Sequence, residues 1–329
     1  MTAIVTAIAM LVAAGAFAAA PAVAASGTGP ATGVAAAPQA VVSLSLPDAF
    51  VVSGQPVTVP KRVVHVVGTV RPYVPGQSVK VRTFLAGRLL KSQRVPIAAA
   101  GGGAYGAFRA AVSSPAAGEL TVVVGHSRTT TLQSFIARRG LPALDENVGF
   151  GATGRFVALL QQRLAALHFY IPQTGVYDEG TGLALDAYHR LLGWGTYQTL
   201  DPKTVSWLLD GFGSFKVRYP GDGKHAEGDI GDQLLALIDG SKVFAIYPIS
   251  SGKPSTPTVL GRFSVYSKVP GYLPDGMYYS NFFIGGYAIH GYDPAPDYPA
   301  SHGCMRLPIV DAISVYNWIQ YGDRVDVYL

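Results

Sequence analysis

Cys304 is the sole cysteine of the 329-residue chain, and it stands in the run Ser301-His302-Gly303-Cys304-Met305-Arg306. A lone cysteine has no intramolecular disulfide partner. Two uses remain: a small buried apolar residue, or a reactive thiol, which becomes a nucleophile when a base or a cation favours the thiolate. His302 two places before, Arg306 two places after and His290 further upstream supply candidate bases and a cation. The intervening Asp293-Pro294-Ala295-Pro296-Asp297-Tyr298-Pro299 is too rich in proline for a core element. Cys304 therefore falls in an ordered loop, where reactive groups concentrate. Gly303 leaves the backbone N–H groups of the turn open to a ligand. His290, His302 and Cys304 are also conceivable zinc ligands, but His302 and Cys304 are only two apart, which is close for zinc-ligand spacing. The reading calls for no metal and no cofactor.

Several ordered motifs carry a resemblance. Tyr287-Ala288-Ile289-His290-Gly291 followed by Ser301-His302-Gly303-Cys304-Met305-Arg306-Leu307 resembles the signature of the L,D-transpeptidase (YkuD-type) catalytic domain. So do Gly223-Lys224-His225-Ala226-Glu227, Gln233-Leu234-Leu235-Ala236-Leu237, Ser250-Ser251-Gly252, and Thr256-Pro257 with Gly261-Arg262-Phe263. The stretch between His290 and Ser301 is at the short end for that family. The resemblance implies Cys304 as nucleophile and His290 as general base, its other ring nitrogen donating to a backbone carbonyl because Gly291 has no side chain to help. It implies His302 in a supporting role and backbone N–H groups of Gly303 and Cys304 as the oxyanion site. Arg306 would hold substrate or fix the turn, with a structural ion pair as the alternative. Tyr278, Asn281, Phe283 and Ser301 would line the substrate groove. The expected substrates are peptidoglycan stem peptides, acylating Cys304 with loss of D-alanine. Capture by an amine makes a cross-link; capture by water makes the enzyme an L,D-carboxypeptidase. A catalytically silent wall-binding protein is the non-enzymatic alternative, and a covalent carbapenem adduct separates it from a live thiol.

These residues need elements to position them. Nearly half of the chain is hydrophobic and 14% is charged, enough for several cores, and the length suggests two or three domains. Residues 1–25 read as a signal peptide: an uncharged apolar run ends at Ala22-Val23-Ala24. Retention as a membrane anchor is the alternative. Export with one cysteine excludes a disulfide framework and suits a bacterial envelope protein. Residues 26–40, rich in Ala, Gly, Pro and Thr, read as a linker. Residues 41–140 show period-two runs and regular turns, the pattern of an immunoglobulin-like β-sandwich. This segment has twelve Lys and Arg against Asp48 and Glu119, a net +10, whereas the whole chain is +5. Such a surface suits an anionic wall polymer or a spacer role; no nucleic-acid partner is expected.

Residues 148–213 change to helical periodicity, with Val157, Leu160, Leu164 and Leu167 on one face. Asp178 and Asp201 are expected N-caps and Pro202 an expected first helical residue. The stretch resembles the three-helix peptidoglycan-binding domain, although Tyr188-His189 stands where that family has an aromatic followed by Gln. Residues 214–329 return to strands, expected over 234–238, 242–249, 262–267, 282–290 and 324–328. A helix over 308–318 turns Ile309, Ala312, Ile313 and Tyr316 inward. The expected whole is multidomain and mainly β: an immunoglobulin-like sandwich, a small three-helix domain, and a mostly β catalytic sandwich with one helix.

Overall fold

The run Leu234-Leu235-Ala236-Leu237-Ile238 is apolar without alternation, and all five residues are buried. A strand of this kind needs cover on both faces, and the architecture of its half of the chain follows from that need. The computed structural model describes residues 36–329. The expected signal segment and most of the expected linker lie outside the described residues. The described chain from residue 38 onward groups as one unit, and it is mainly β.

Its first part holds β1 (Val41–Ser45), β2 (Phe50–Val52), β3 (Gln55–Val57), β4 (Val64–Arg71), β5 (Ser78–Leu85), β6 (Arg88–Pro96), β7 (Ala98–Ala100), β8 (Tyr105–Val112), β9 (Leu120–His126) and β10 (Phe135–Gly140). Two four-stranded antiparallel sheets form, in the orders β1-β4-β8-β7 and β10-β9-β5-β6. Alternate residues of both, among them Val64, Val66, Phe108, Val79, Val81, Val122 and Val124, fill one core. The period-two runs locate β4, β5, β6, β8 and β9. They miss β1, β7, β10 and the short hairpin β2–β3.

Three helices follow: α1 (Arg155–Ala166), α2 (Glu179–Leu191) and α3 (Pro202–Asp210). Asp178 accepts a hydrogen bond from Thr181 N, and Asp201 from Thr204 N, so one orphan donor at each of these helix starts is satisfied. Pro202 occupies the first turn of α3, and Gly211 ends it at φ 81°, where a side chain would be strained. Tyr188 and His189 are wholly buried. Tyr188 Oη donates to Phe212 O, and His189 bridges Tyr197 O and Thr204 Oγ1. The departure at these two positions thus serves the helical core.

The last part holds β11 (Lys224–Asp229), β12 (Leu234–Asp239), β13 (Lys242–Pro248), β14 (Gly261–Ser264), β15 (Ser267–Tyr272), β16 (Tyr278–Ile284), β17 (Tyr287–Gly291), β18 (Met305–Leu307), α4 (Ile309–Trp318) and β19 (Arg324–Tyr328). One sheet runs β13-β12-β11-β19-β14 and the other β15-β16-β17-β18. Leu235 and Leu237 of β12 join the core between these sheets with Ile289, Met305 and Val325. Leu234, Ala236 and Ile238 face the other way, into the core of the helices with Leu160, Leu185 and Tyr188. The two faces of β12 therefore serve two different units.

Three local expectations need correction. The segment 262–267 divides between the sheets, because Val265 N bonds Asp323 O on one side and Tyr266 N bonds Phe282 O on the other. The segment 282–290 is a hairpin, β16–β17, turning at Gly285 with φ 49°. On α4 the inward residues are Asp311, Ala312 and Val315, while Ile313 is 41% exposed. Close approach sets that face: a Cβ on Gly291 of β17 would stand 2.7 Å from the Ala312 methyl.

Candidate active site

β17 and β18 run parallel, with His290 opposite Arg306 and Ile289 opposite Met305. Cys304 is the residue just before β18, so the sheet places the thiol beside Ala288 and delivers His290 to the same cleft. That cleft has a volume of about 530 Å³, and its lining includes Cys304, His290, His302, Ser301, Arg306 and Tyr287.

The loop carrying Cys304 is held from two directions. Ser301 Oγ donates to Cys304 O at 2.6 Å and accepts from Gly303 N at 3.0 Å. From outside, Ala300 N and Ser301 N both donate to Ser251 O, Lys253 N donates to Ser301 O, and Ser250 exchanges both backbone hydrogen bonds with Arg306. Gln233 in turn holds Ser251 through Nε2 to Oγ and Oε1 to backbone N. The Ser250-Ser251-Gly252 motif is thus the shelf on which the cysteine loop rests. Gly252 is required there, because a Cβ would fall 2.3 Å from Thr256 O.

Gly303 has φ 117°, a conformation open to glycine, and a Cβ would lie 1.8 Å from the Tyr287 ring. Its expected oxyanion role needs correction. Its N–H is already donated to Ser301 Oγ, so Gly303 shapes the turn and makes room for Tyr287. Ser301 likewise acts inside the loop, wholly buried.

His290 is 2% exposed. Its Nδ1 lies 2.8 Å from Gly291 O. A carbonyl only accepts, so Nδ1 carries the proton and Nε2 keeps its lone pair. Burial pushes its pKa down to about 4; the Gly291 carbonyl opposes that shift, Arg306 adds to it and Asp275 opposes it. Burial also pushes the Cys304 thiol up, with the Ala288 backbone N–H and Arg306 pulling it down and Asp275 adding to the rise. Both shifts favour the uncharged forms, and the thiol lies 3.8 Å from Gly286 O. A neutral imidazole with a free Nε2 can take the thiol proton as attack begins.

His302 is exposed, and its Nε2 accepts from Lys253 Nζ at 3.3 Å. Arg306 makes no ion pair among the described residues; its guanidinium lies 3.8 Å over the Tyr292 ring. The other expected groove residues do not line the cleft. Phe283 is 3% exposed within the core between the sheets, and Asn281 is wholly buried with Nδ2 on Ile289 O. Tyr278 stacks on Tyr272. The side chains that do face the cleft from β16 and its turn are Met277 and Asp275. Residue identity gave no signal for that choice, since the bulge in the β15–β16–β17 pairing near Tyr278 resets which residues point where. Among the described residues no three His, Cys, Asp or Glu side chains converge as a metal site.

A family model of the L,D-transpeptidase catalytic domain (YkuD) matches residues 223–327. An L,D-transpeptidase structure from Xylanimonas cellulosilytica is 30% identical; the match covers 57% of this chain and 100% of that one, with a TM-score of 0.51. The chain belongs to the L,D-transpeptidase family. No curated protein matches the sequence. Other similar structures are an L,D-transpeptidase of Stackebrandtia nassauensis, 21% identical over 56% of this chain and 95% of that one with a TM-score of 0.35, and one of Enterococcus faecium, 25% identical over 32% and 50% with a TM-score of 0.29. The match to the catalytic family takes in β17, which carries His290, and the turn before β18, which carries Cys304. This L,D-transpeptidase has its single thiol and a buried imidazole in the lining of the same cleft.

Proposed function

We propose that this enzyme cross-links peptidoglycan through a thioester on Cys304. The observation that supports it is that Cys304 and His290 line one cleft, with Nδ1 of His290 on Gly291 O so that Nε2 is the base. In the first half-reaction Cys304 Sγ attacks the amide between the L-centre of a stem-peptide diamino acid and D-alanine. His290 Nε2 takes the thiol proton and returns it to the departing D-alanine nitrogen. The C–N bond breaks, and an acyl thioester and free D-alanine result. In the second half-reaction an acceptor amine attacks the thioester, the C–S bond breaks, and an amide joins two stems. With Gly303 N–H engaged, the N–H of Cys304 itself is the proposed oxyanion donor. Arg306, stacked on Tyr292 and free of carboxylates, is proposed to hold a substrate carboxylate, and Lys253 to fix His302 at the rim.

On this reading the protein is exported and works in the bacterial envelope, residues 41–140 form an immunoglobulin-like unit whose charge suits anionic wall polymers, and 148–213 form a peptidoglycan-binding-like unit. Among the described residues no helix is long and apolar enough to cross a membrane. The deciding experiment incubates the enzyme with a disaccharide-tetrapeptide. A cross-linked dimer with free D-alanine is expected; tripeptide as the sole product would make the enzyme a carboxypeptidase.

A further inference from the structure

Between β15 and β16 the chain makes a tight turn, Leu273-Pro274-Asp275-Gly276, closed by Gly276 N to Leu273 O at 2.9 Å and Leu273 N to Met277 O at 2.8 Å. Proline and glycine at these places are the residues such a turn demands. Gly276 sits at φ 87°, and a Cβ there would lie 3.3 Å from the Tyr292 ring, so the turn rests on the aromatic that also carries Arg306. The tip is therefore fixed in place. It carries Asp275, whose carboxylate lines the cleft with Cys304 and His290.

That carboxylate is exposed, and it has a single intramolecular hydrogen bond, from Met277 N to Oδ1 at 3.3 Å. Neither Arg306 of the cleft nor Lys253 beside it pairs with it: Arg306 lies over Tyr292, and Lys253 is on His302. An unpaired negative charge beside a nucleophile that must become an anion opposes the first half-reaction, and indeed Asp275 adds to the rise of the thiol pKa. A cationic ligand would remove that conflict. The proposed reaction brings one cation that must reach the thioester, the ammonium of the acceptor stem.

Resting on the cross-linking reading above, we infer that Asp275 is the acceptor-binding residue: it holds the incoming primary ammonium beside the Cys304 thioester and so biases the acyl group toward an amine and away from water. Two protons leave the ammonium on the way to the amide N–H. One is lost to solvent to make the attacking amine. The other passes through His290 Nε2 to Cys304 Sγ as the C–S bond breaks, which regenerates the thiol and the neutral imidazole. Charge attraction raises the local concentration of the acceptor, and a hydrogen bond to a charged group is worth about tenfold in binding.

The test uses the full-length enzyme with a disaccharide-tetrapeptide donor, and it follows tripeptide and cross-linked dimer together. A parallel reaction offers hydroxylamine, an acceptor that is uncharged at neutral pH. For Asp275→Asn the ratio of dimer to tripeptide should fall about tenfold, while the ratio of hydroxamate to tripeptide stays within twofold of wild type; Asp275→Glu should restore part of the dimer. Equal loss with both acceptors would overturn the inference, since that pattern marks a distorted site. An unchanged dimer ratio would overturn it as well, as would a slower total release of D-alanine, which would place Asp275 on the donor. A wild-type enzyme that makes tripeptide alone would instead remove the cross-linking reading itself.

Discussion

Replacing Cys304 by alanine separates chemistry from packing. The thiol is half-buried at the edge of a cleft, so the loss of packing is of the order of 1 kcal/mol and Tm should move by a few degrees at most. Covalent labelling by a carbapenem, read by intact-mass spectrometry, should vanish; an adduct on Cys304→Ala would sink the assignment of the nucleophile. The titration of the pair gives a second prediction. His290 accepts the thiol proton only when neutral, and its pKa is lowered to about 4 chiefly by burial. The sign follows directly: acylation is fully supported above that value and fails as pH drops through it. The acid limb of the acylation rate should therefore lie near pH 4. A limb near 6.5, the ordinary value, would mean that His290 is solvated or is not the base. His302, exposed and hydrogen-bonded to Lys253, should leave this limb unmoved when changed to alanine.

The hairpin, the shelf and the cysteine turn decide whether those two groups meet. Gly303→Ala puts a methyl into the Tyr287 ring and an alanine at φ 117°, a backbone cost of about 1–3 kcal/mol. A shift of the turn by about 1 Å is enough to lower a reaction rate roughly 100-fold. Carbapenem acylation should fall by about that factor while the far-ultraviolet circular dichroism is unchanged, and a variant reacting at the wild-type rate would show that the turn tolerates a side chain. This glycine also marks how much of the site was legible. The types and order of His290, Ser301, Gly303 and Cys304 were readable because they lie in short contiguous motifs, and the helix starts were readable because Asp178 and Asp201 cap locally. Which hydrogen bonds those loop residues make was not. Gly303 N–H goes to Ser301 Oγ, a choice set by a turn that depends on the Ser251 shelf some fifty residues earlier. Ile313 and Phe283 were misplaced for a related reason: apolar character says that a residue is buried somewhere, whereas the close approach of Gly291 to Ala312 and the bulge near Tyr278 decide which face is inward. Asp275 lies outside every motif read from the sequence, because its place at the cleft arises from the pairing of β15 with β16.

The units of the molecule share cores, and this changes what a truncated enzyme should do. If the catalytic unit stood alone, a fragment of residues 216–329 would carry every proposed reactive group and label with a carbapenem. Yet the outer face of β12 and β13 is covered by the helices, with Leu234, Ala236, Ile238 and Ile246 in one core with Leu160, Leu185 and Tyr188. The segment after α1 adds to the sheet as well, by Ile246 N to His168 O and Tyr170 N to Ile246 O. From α2, Arg190 donates to Gln233 O and Ile249 O and pairs with Asp186 at 2.6 Å, both side chains about 5% exposed or less. Gln233 holds the shelf under Cys304, so Arg190 links the helices to the site. Exposing Leu234, Ile238 and Ile246 costs about 2 kcal/mol each, roughly 6 kcal/mol against a total stability of about 5–15 kcal/mol. The first β unit also meets the helices, where Val52 and Val57 pack on Phe156, Leu159 and Val205, but that contact is on the side of the helices away from Gln233. Residues 148–329 should therefore be less stable than the full chain yet monomeric and reactive, with carbapenem acylation within about threefold of the full chain, whereas residues 216–329 should aggregate or acylate more than tenfold slower, a gap of over about 1.4 kcal/mol. Size-exclusion chromatography with intact-mass labelling of both fragments decides the matter: a monomeric 216–329 that labels at the full rate would mean the helices add stability without supporting the shelf under Cys304.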